Sequence, residues 1–456
     1  MSSELRRELT FASATALVVS NMIGTGIFTT TGFLAGDLGR PSLVIAVWLA
    51  GAVVAMAGCL SYAELGINFP HSGGEYVYLR EAWGPLWGFL SGWISFFAGF
   101  AAPVAAGALA FSEYLGHFYP SLSMQAQRGA GELALGWIHL GNGRLLALVV
   151  IGFFAIVNIL GLRLAANLQT ILTALKIGVL GTFVALAFLV GHGEWHNFAL
   201  TAERTSTHGV GAQFAVSLIF VMFAYSGWNA AAYVAEEMKT PERTLPISLI
   251  VGTGIVAAFY LALNVAFIYA LPLESLKGVV RVGARAATAL FGNAGGAIFS
   301  GVMAVGILSC VSAMVLVGPR VYYAMARDGY FFSGAGKVHT RWRTPVHAIL
   351  YQTTASAVMV LTGTFEKLIY YIGFTLVLFA ALATAGVFRM RRRPGWICLR
   401  AVSWAYPLIP TVFVGASLWM LGYTLFLRSA ESLFSLLTMA VGVLLYRLVF
   451  RKPRGV

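Results

Sequence analysis

The chain has 456 residues, of which 59% are hydrophobic and only 10% charged, and its mean hydropathy is +0.81. A soluble domain carries about a quarter charged residues, so this composition excludes a water-soluble globular chain, a disordered chain and a nucleic-acid binder. The net charge of +13 is accordingly read as membrane topology, and Cys59, Cys310 and Cys398 are too few and too scattered for a disulfide framework or a metal cage.

A membrane helix needs roughly 20 mostly apolar residues. The first run, 11–35, exceeds a signal-peptide core and lacks a small-residue cleavage site. Near its middle stands Asn21-Met22-Ile23-Gly24-Thr25-Gly26-Ile27-Phe28. Glycine in a helix interior costs about 1 kcal/mol relative to alanine, so two glycines around a threonine weaken the helix there. Taken alone, the stretch also reads as a close helix–helix contact. Spans follow at 42–67, 84–112, 145–160 and 167–190, and the connection 113–144 has room for small amphipathic helices and little else. In the fifth span lies Lys176, the one charge deep in an apolar run. A lysine there costs about 2.5–3.5 kcal/mol; it either snorkels to an interface or meets a partner at depth.

The sixth span, 210–237, contains Phe223-Ala224-Tyr225-Ser226-Gly227-Trp228-Asn229, a second polar, glycine-containing interruption. Spans at 246–271, 294–319, 346–363, 366–388, 402–427 and 431–450 complete an expected set of twelve. They are too long and unbroken for barrel strands. If both termini are cytoplasmic, 20 of the 30 lysines and arginines fall on the inside, including Arg389, Arg391, Arg392, Arg393 and the tail Arg451, Lys452, Arg454. That is the positive-inside pattern. All histidines and the carboxylates, Glu64, Glu113, Glu236 and Glu237 among them, sit in loops or near span ends. A membrane enzyme or haem protein needs such groups clustered at depth, so neither enzyme, cofactor nor metal is expected.

Spans one and six hold matching positions in two five-helix halves, 1–5 and 6–10. Paired interruptions of this kind point to a transporter of inverted repeats with a midplane site. An unwound stretch frees amide donors at one half-helix and carbonyl acceptors at the other. The amides suit an anion and the carbonyls a cation. Two facing breaks can hold a zwitterion: carboxylate on the Thr25, Gly26 and Ile27 amides, ammonium on carbonyls near Met22, Ile23, Phe223 and Ala224. An α-amino acid has that polarity.

Gly24-Thr25-Gly26-Ile27-Phe28, the 223–229 stretch, Glu236-Glu237-Met238-Lys239-Thr240-Pro241 and Arg320-Val321-Tyr322-Tyr323-Ala324-Met325-Ala326-Arg327-Asp328-Gly329 together resemble the amino acid–polyamine–organocation superfamily. They are most similar to its L-type amino acid transporter branch, and the likeness covers spans 1–10 in order. The resemblance implies an all-α, LeuT-like membrane fold with a transport core at 1–395 (repeats at about 11–190 and 210–388) and two added helices at 396–456. It implies alternating access. Thr25 and Gly26 would bind the substrate carboxylate, and carbonyls of Met22, Phe223, Ala224 and Ser226 its amino group. Phe223 would cap the site, with Ser226, Trp228 and Asn229 toward the side chain; Gly24 and Tyr225 belong to the same two stretches. Core packing is the plain alternative for Phe223 and Trp228. Lys176 would stand where sodium-coupled relatives hold a sodium ion, with Ser309 and Ser312 nearby; serines in membrane helices also bond back to their own backbone.

Residues 113–144 contain no cysteine, so the disulfide-linked heavy chain of animal members is not expected. The short tails fit a stand-alone transporter in the cell inner membrane. Glu236, Glu237, Lys239, Glu242 and Arg243 form either a solvated face or an inner gate paired with Arg327 or Arg80. No midplane carboxylate awaits a cationic side chain, and Trp93, Phe96, Phe97 and Phe374 are expected around the pocket, so neutral amino acids are the expected substrates. The readings are then a sodium-independent amino acid exchanger or permease, a proton-coupled importer or polyamine transporter of the same fold, or a non-transporting nutrient receptor.

Overall fold

The computed structural model describes residues 7–24, 26–116, 118–122, 133–135, 138–279, 281–362, 365–427 and 429–450. Among them, nine helical stretches are long and apolar enough to cross a membrane. Three shorter apolar helices, Val210–Ala224, Val346–Thr362 and Leu436–Val449, complete the twelve expected spans.

Span one is two helices, Phe11–Met22 and Gly26–Leu38. The first is capped by Thr10, whose hydroxyl accepts from the Ser13 amide at 3.4 Å. Span two runs Pro41–Asn68, its proline at the first turn where no amide partner is lost. A connecting helix, Glu75–Trp83, leads into span three, Pro85–Leu115. Spans four and five are Asn142–Leu160 and Leu162–Leu189, with only Gly161 between them in an extended, positive-φ conformation (φ 153°).

Span six ends its α-helix at Ala224, turns through 225–229, and continues as a 3-10 helix, Ala230–Glu237. Span seven is Pro241–Ala270. Span eight lies within Val282–Arg327, broken at Gly292 (φ 75°), and its helix continues past the apolar window to Arg327. Val346–Thr362, Phe365–Met390, Leu408–Leu427 and Ser429–Leu445 are spans nine to twelve.

Three differences from the sequence reading have local causes. The connection after span three carries a two-stranded antiparallel ribbon, Leu133–Leu135 with Ile138–Leu140, rather than helices alone. Span three is not uniform either: Ser95–Ala101 winds as a π-helix, which turns the following residues relative to those before it. Helix also begins earlier than the apolar window at spans five and seven, since helices extend beyond hydrocarbon. Span seven packs closely on both span two and the first half of span one, and spans five and eight close around that half.

Candidate binding site

The two interruptions lie against each other. A side chain on Gly26 would place its Cβ 2.7 Å from Ala224 Cα. One on Gly227, whose φ is +94°, would meet the Asn21 backbone at 2.8 Å. Both positions therefore require the absence of a Cβ, one for approach and one for conformation as well.

A cavity opens between the breaks. Met22, Gly24 and Gly26 line it from span one, and Phe223, Ala224, Ser226 and Asn229 from span six. No lysine, arginine, histidine or carboxylate lines it among the described residues. Span three adds Gly99, Phe100 and Gly107, and span eight adds Cys310 and Met314. What remains polar is backbone, the amides of Asn21 and Asn229, the Cys310 thiol and a few hydroxyls. Asn229 Nδ2 donates to the Tyr233 hydroxyl at 3.2 Å, which holds the amide at the cavity wall.

The carbonyl end is already partly engaged. Tyr260 of span seven, fully buried, places its hydroxyl 2.6 Å from Met22 O and 2.9 Å from Ala224 O. Its single proton is shared between these two acceptors, and each carbonyl keeps a second lone pair. The tyrosine thus ties the two breaks together while leaving acceptor capacity. Sequence reasoning missed it, although a tyrosine in an apolar span needs a partner for its hydroxyl.

Lys176 is 2% exposed, so it does not snorkel. Its Nζ donates to Ile23 O at 2.6 Å, inside the first break. That carbonyl consequently already accepts from a protein side chain and keeps one lone pair. Ser309 joins Ser20 (2.6 Å between hydroxyl oxygens), Thr173 and Gln169 in a polar cluster binding spans one, five and eight. Ser312 is buried with no hydrogen-bond partner among the described residues.

Several expected site residues stand elsewhere. Trp228 packs between Tyr62 (4.7 Å between centroids) and Phe413 (5.8 Å), turned from the cavity by the positive φ of Gly227 before it. Tyr225 points toward span two, where it packs on Trp48 and Tyr260 and donates to Trp48 O at 3.3 Å. Ile27 is a fully buried core residue outside the lining. Thr25 lies outside the described residues.

Trp93, Phe96, Phe97 and Phe374 do not line the cavity either. The π-turn presents Gly99 and Phe100 instead, while Phe96 meets Phe97 and Tyr322 edge to face.

At the base, Arg320 grips Glu237 through Nε–Oε1 (2.7 Å) and Nη2–Oε2 (3.1 Å), both side chains almost fully buried. Glu236 pairs with Arg327 at 3.5 Å, as one of the two expected gate partners. Arg80, the other, pairs instead with Asp328 and Glu81. Lys239, Glu242 and Arg243 are exposed and remain a solvated face. The segment before span one is fastened here too: Leu9 N donates to Glu237 O (2.9 Å) and Lys239 N to Leu9 O (3.2 Å).

Two broken helices enclosing an uncharged cavity match a family pattern over residues 9–445, that described as amino acid permease. The chain belongs to the amino acid permease family. The permease is 30% identical to the serine/threonine exchanger SteT of Bacillus subtilis, covering 97% of this chain and 96% of the relative. It is 28% identical to the human large neutral amino acids transporter small subunit 2 (90% of this chain, 74% of the relative). It is also 27% identical to the human cystine/glutamate transporter (85% and 74%).

Removing the Tyr260 hydroxyl takes one net hydrogen bond from the permease's paired breaks, about 0.5–1.5 kcal/mol. Tyr260→Phe is expected to raise KM for the transported amino acid up to about tenfold, read from initial rates in proteoliposomes. An unchanged KM would place Tyr260 in packing alone.

Proposed function

We propose that this permease is a sodium-independent exchanger of neutral L-amino acids that works by alternating access. The observation that carries the reading is the cavity between the breaks, which offers backbone dipoles and no ionised side chain among its described lining. Such a site suits a ligand whose two opposite charges are internal to it. The Gly26 end, with Thr25 beside it, would take the carboxylate. The carbonyls of Met22, Phe223, Ala224 and Ser226 would take the ammonium, with Phe223 above and Asn229 toward the side chain.

Lys176 supports sodium independence: its ammonium occupies a carbonyl at the first break, where a cation would otherwise be wanted. The relatives named as a serine/threonine exchanger and a large neutral amino acids transporter agree with exchange of uncharged substrates. The same reading has the permease in the plasma membrane with both termini in the cytoplasm, a transport core at 1–395, and no disulfide-linked heavy chain.

Reconstituted vesicles test it directly. Radiolabelled serine, threonine or leucine should accumulate when unlabelled amino acid is loaded inside, and a sodium gradient should add nothing. Uptake that requires sodium, or that ignores internal amino acid, would overturn the exchanger reading.

A further inference from the structure

Three carboxyl groups at the base of the bundle are buried, and two have their own arginine. Glu237 holds Arg320. Glu64 holds Arg391 through two 2.6 Å contacts. The third, Glu75 on the connecting helix, is 6% exposed and has only hydroxyl groups around it. Tyr62 of span two donates to Oε2 at 2.5 Å and Ser91 of span three to Oε1 at 3.2 Å.

The charged groups of every neighbouring element are committed elsewhere. On its own helix, Arg80 and Tyr76 both engage Asp328, and Glu81 takes Arg80 and Arg393. Span eight spends Arg320 on Glu237 and Arg327 on Glu236, and Arg389 at the end of span ten lies over the Trp83 ring. Span six brings the Tyr233 phenol toward the carboxyl. Tyr78, on the connecting helix, packs on the Tyr62 ring with a phenol that stays protonated because burial raises it further. Among the described residues, no lysine or arginine pairs with Glu75.

A carboxylate in that setting has lost water and gained no counter-charge, which favours its acid form. Burial pushes the Glu75 carboxyl from 4.5 up to about 7, against the lowering effect of the Tyr62 and Ser91 hydrogen bonds.

The same neighbours clasp the moving part of the site. Gly73 N donates to Tyr233 O at 3.2 Å, and Tyr233 lines the cavity. The Tyr62 ring packs on Trp228, next to the break. Displacing the second half of span six would break these contacts beside Glu75.

We propose that Glu75 is a proton-binding site, loaded while this end of the bundle is closed and emptied when it opens. The proton comes from solvent and returns to it: the carboxyl O–H breaks, and the carboxylate left behind keeps the Tyr62 and Ser91 donors and gains water. The raised group fixes the sign. Its advantage to the closed form is full below about 4.5, declines as pH rises, and is gone above about 7. One proton changes the closed-to-open ratio by at most about tenfold per pH unit.

Infrared titration of the purified, intact protein tests the site without transport. The wild type should lose a protonated-carboxyl C=O band as pH rises through about 7, and Glu75→Gln should lack that band. A wild type with no such band, or a variant that keeps it, would overturn the proposal. Exchange in proteoliposomes at equal pH on both sides, an arm that rests on the exchanger reading, should show a matching inflection. Tyr62→Phe removes a bond that lowers the group and should move the inflection to higher pH; an unmoved inflection would also overturn it. Should Glu75→Gln fail to fold, the wild-type band and the Tyr62→Phe shift still decide. A protein that carries no amino acid would lose the transport arm and keep the spectroscopic one, so the two failures are distinguishable.

Discussion

Gly26→Leu is expected to abolish substrate binding. The added Cβ would lie 2.7 Å from Ala224 Cα and 2.9 Å from its Cβ, so the two breaks must part before the rest of the side chain is accommodated. Overpacking of this kind costs about 1–3 kcal/mol or more, and the remaining leucine carbons enter a cavity that Gly26 lines. The amide end proposed for the carboxylate is then covered. Equilibrium binding of radiolabelled amino acid to purified protein should fall by at least about a hundredfold, equivalent to about 2.7 kcal/mol. Gly26→Ala, with the same first clash and no further atoms, should fall between the two. A Cβ added at Gly152 in span four would have nothing within 4 Å of it, so Gly152→Ala controls for helix substitution in general. Wild-type affinity in Gly26→Leu would remove the first break from the site.

Lys176→Ala is the second large effect. Its Nζ donates to Ile23 O, and a hydrogen bond from a charged group contributes about 1.5–3 kcal/mol. Loss of that bond frees the first break and should lower exchange tenfold or more. Stability should not fall in parallel, because removing a lysine from membrane depth relieves about 2.5–3.5 kcal/mol of insertion cost. Exchange rate and thermal unfolding of the same preparation separate the two effects. Unaltered exchange would leave the lysine a packing element along Gly306, where an added Cβ would lie 3.7 Å from Lys176 Cε.

The breaks are legible in the sequence because their cause is local. Gly24, Gly26 and Gly227 interrupt apolar runs, and their recurrence at matching places in the two halves separates a break from a close helix–helix contact. Lys176 is legible for the same reason, as a charge whose cost demands a partner. Which side chains face the cavity is not legible. An α-helical period brings Trp93, Phe96 and Phe97 to the pocket, and the π-turn over Ser95–Ala101 alters that period without a residue pattern to announce it. Trp228 is misplaced by such a reading because the positive φ of Gly227 turns the chain just before it. Tyr260 and Arg320 depend on contacts with helices far away in sequence, to Met22 and Glu237, which no local pattern encodes.

The attachment of Leu9 to the end of span six has a mechanical consequence. Its two hydrogen bonds run from backbone to backbone, so they join the chain entering the first broken helix to the chain leaving the second. Those two segments then travel as one lever, and neither swings without the other unless the pair of bonds is released. At about 0.5–1.5 kcal/mol each, the bonds together bias the resting position by about five- to 150-fold. That is firm enough to hold a default posture and weak enough to be undone by thermal motion. Side-chain substitutions at position 9 leave the linkage in place, whereas Leu9→Pro removes the Leu9 donor and leaves the lever held by the Lys239 N to Leu9 O bond alone.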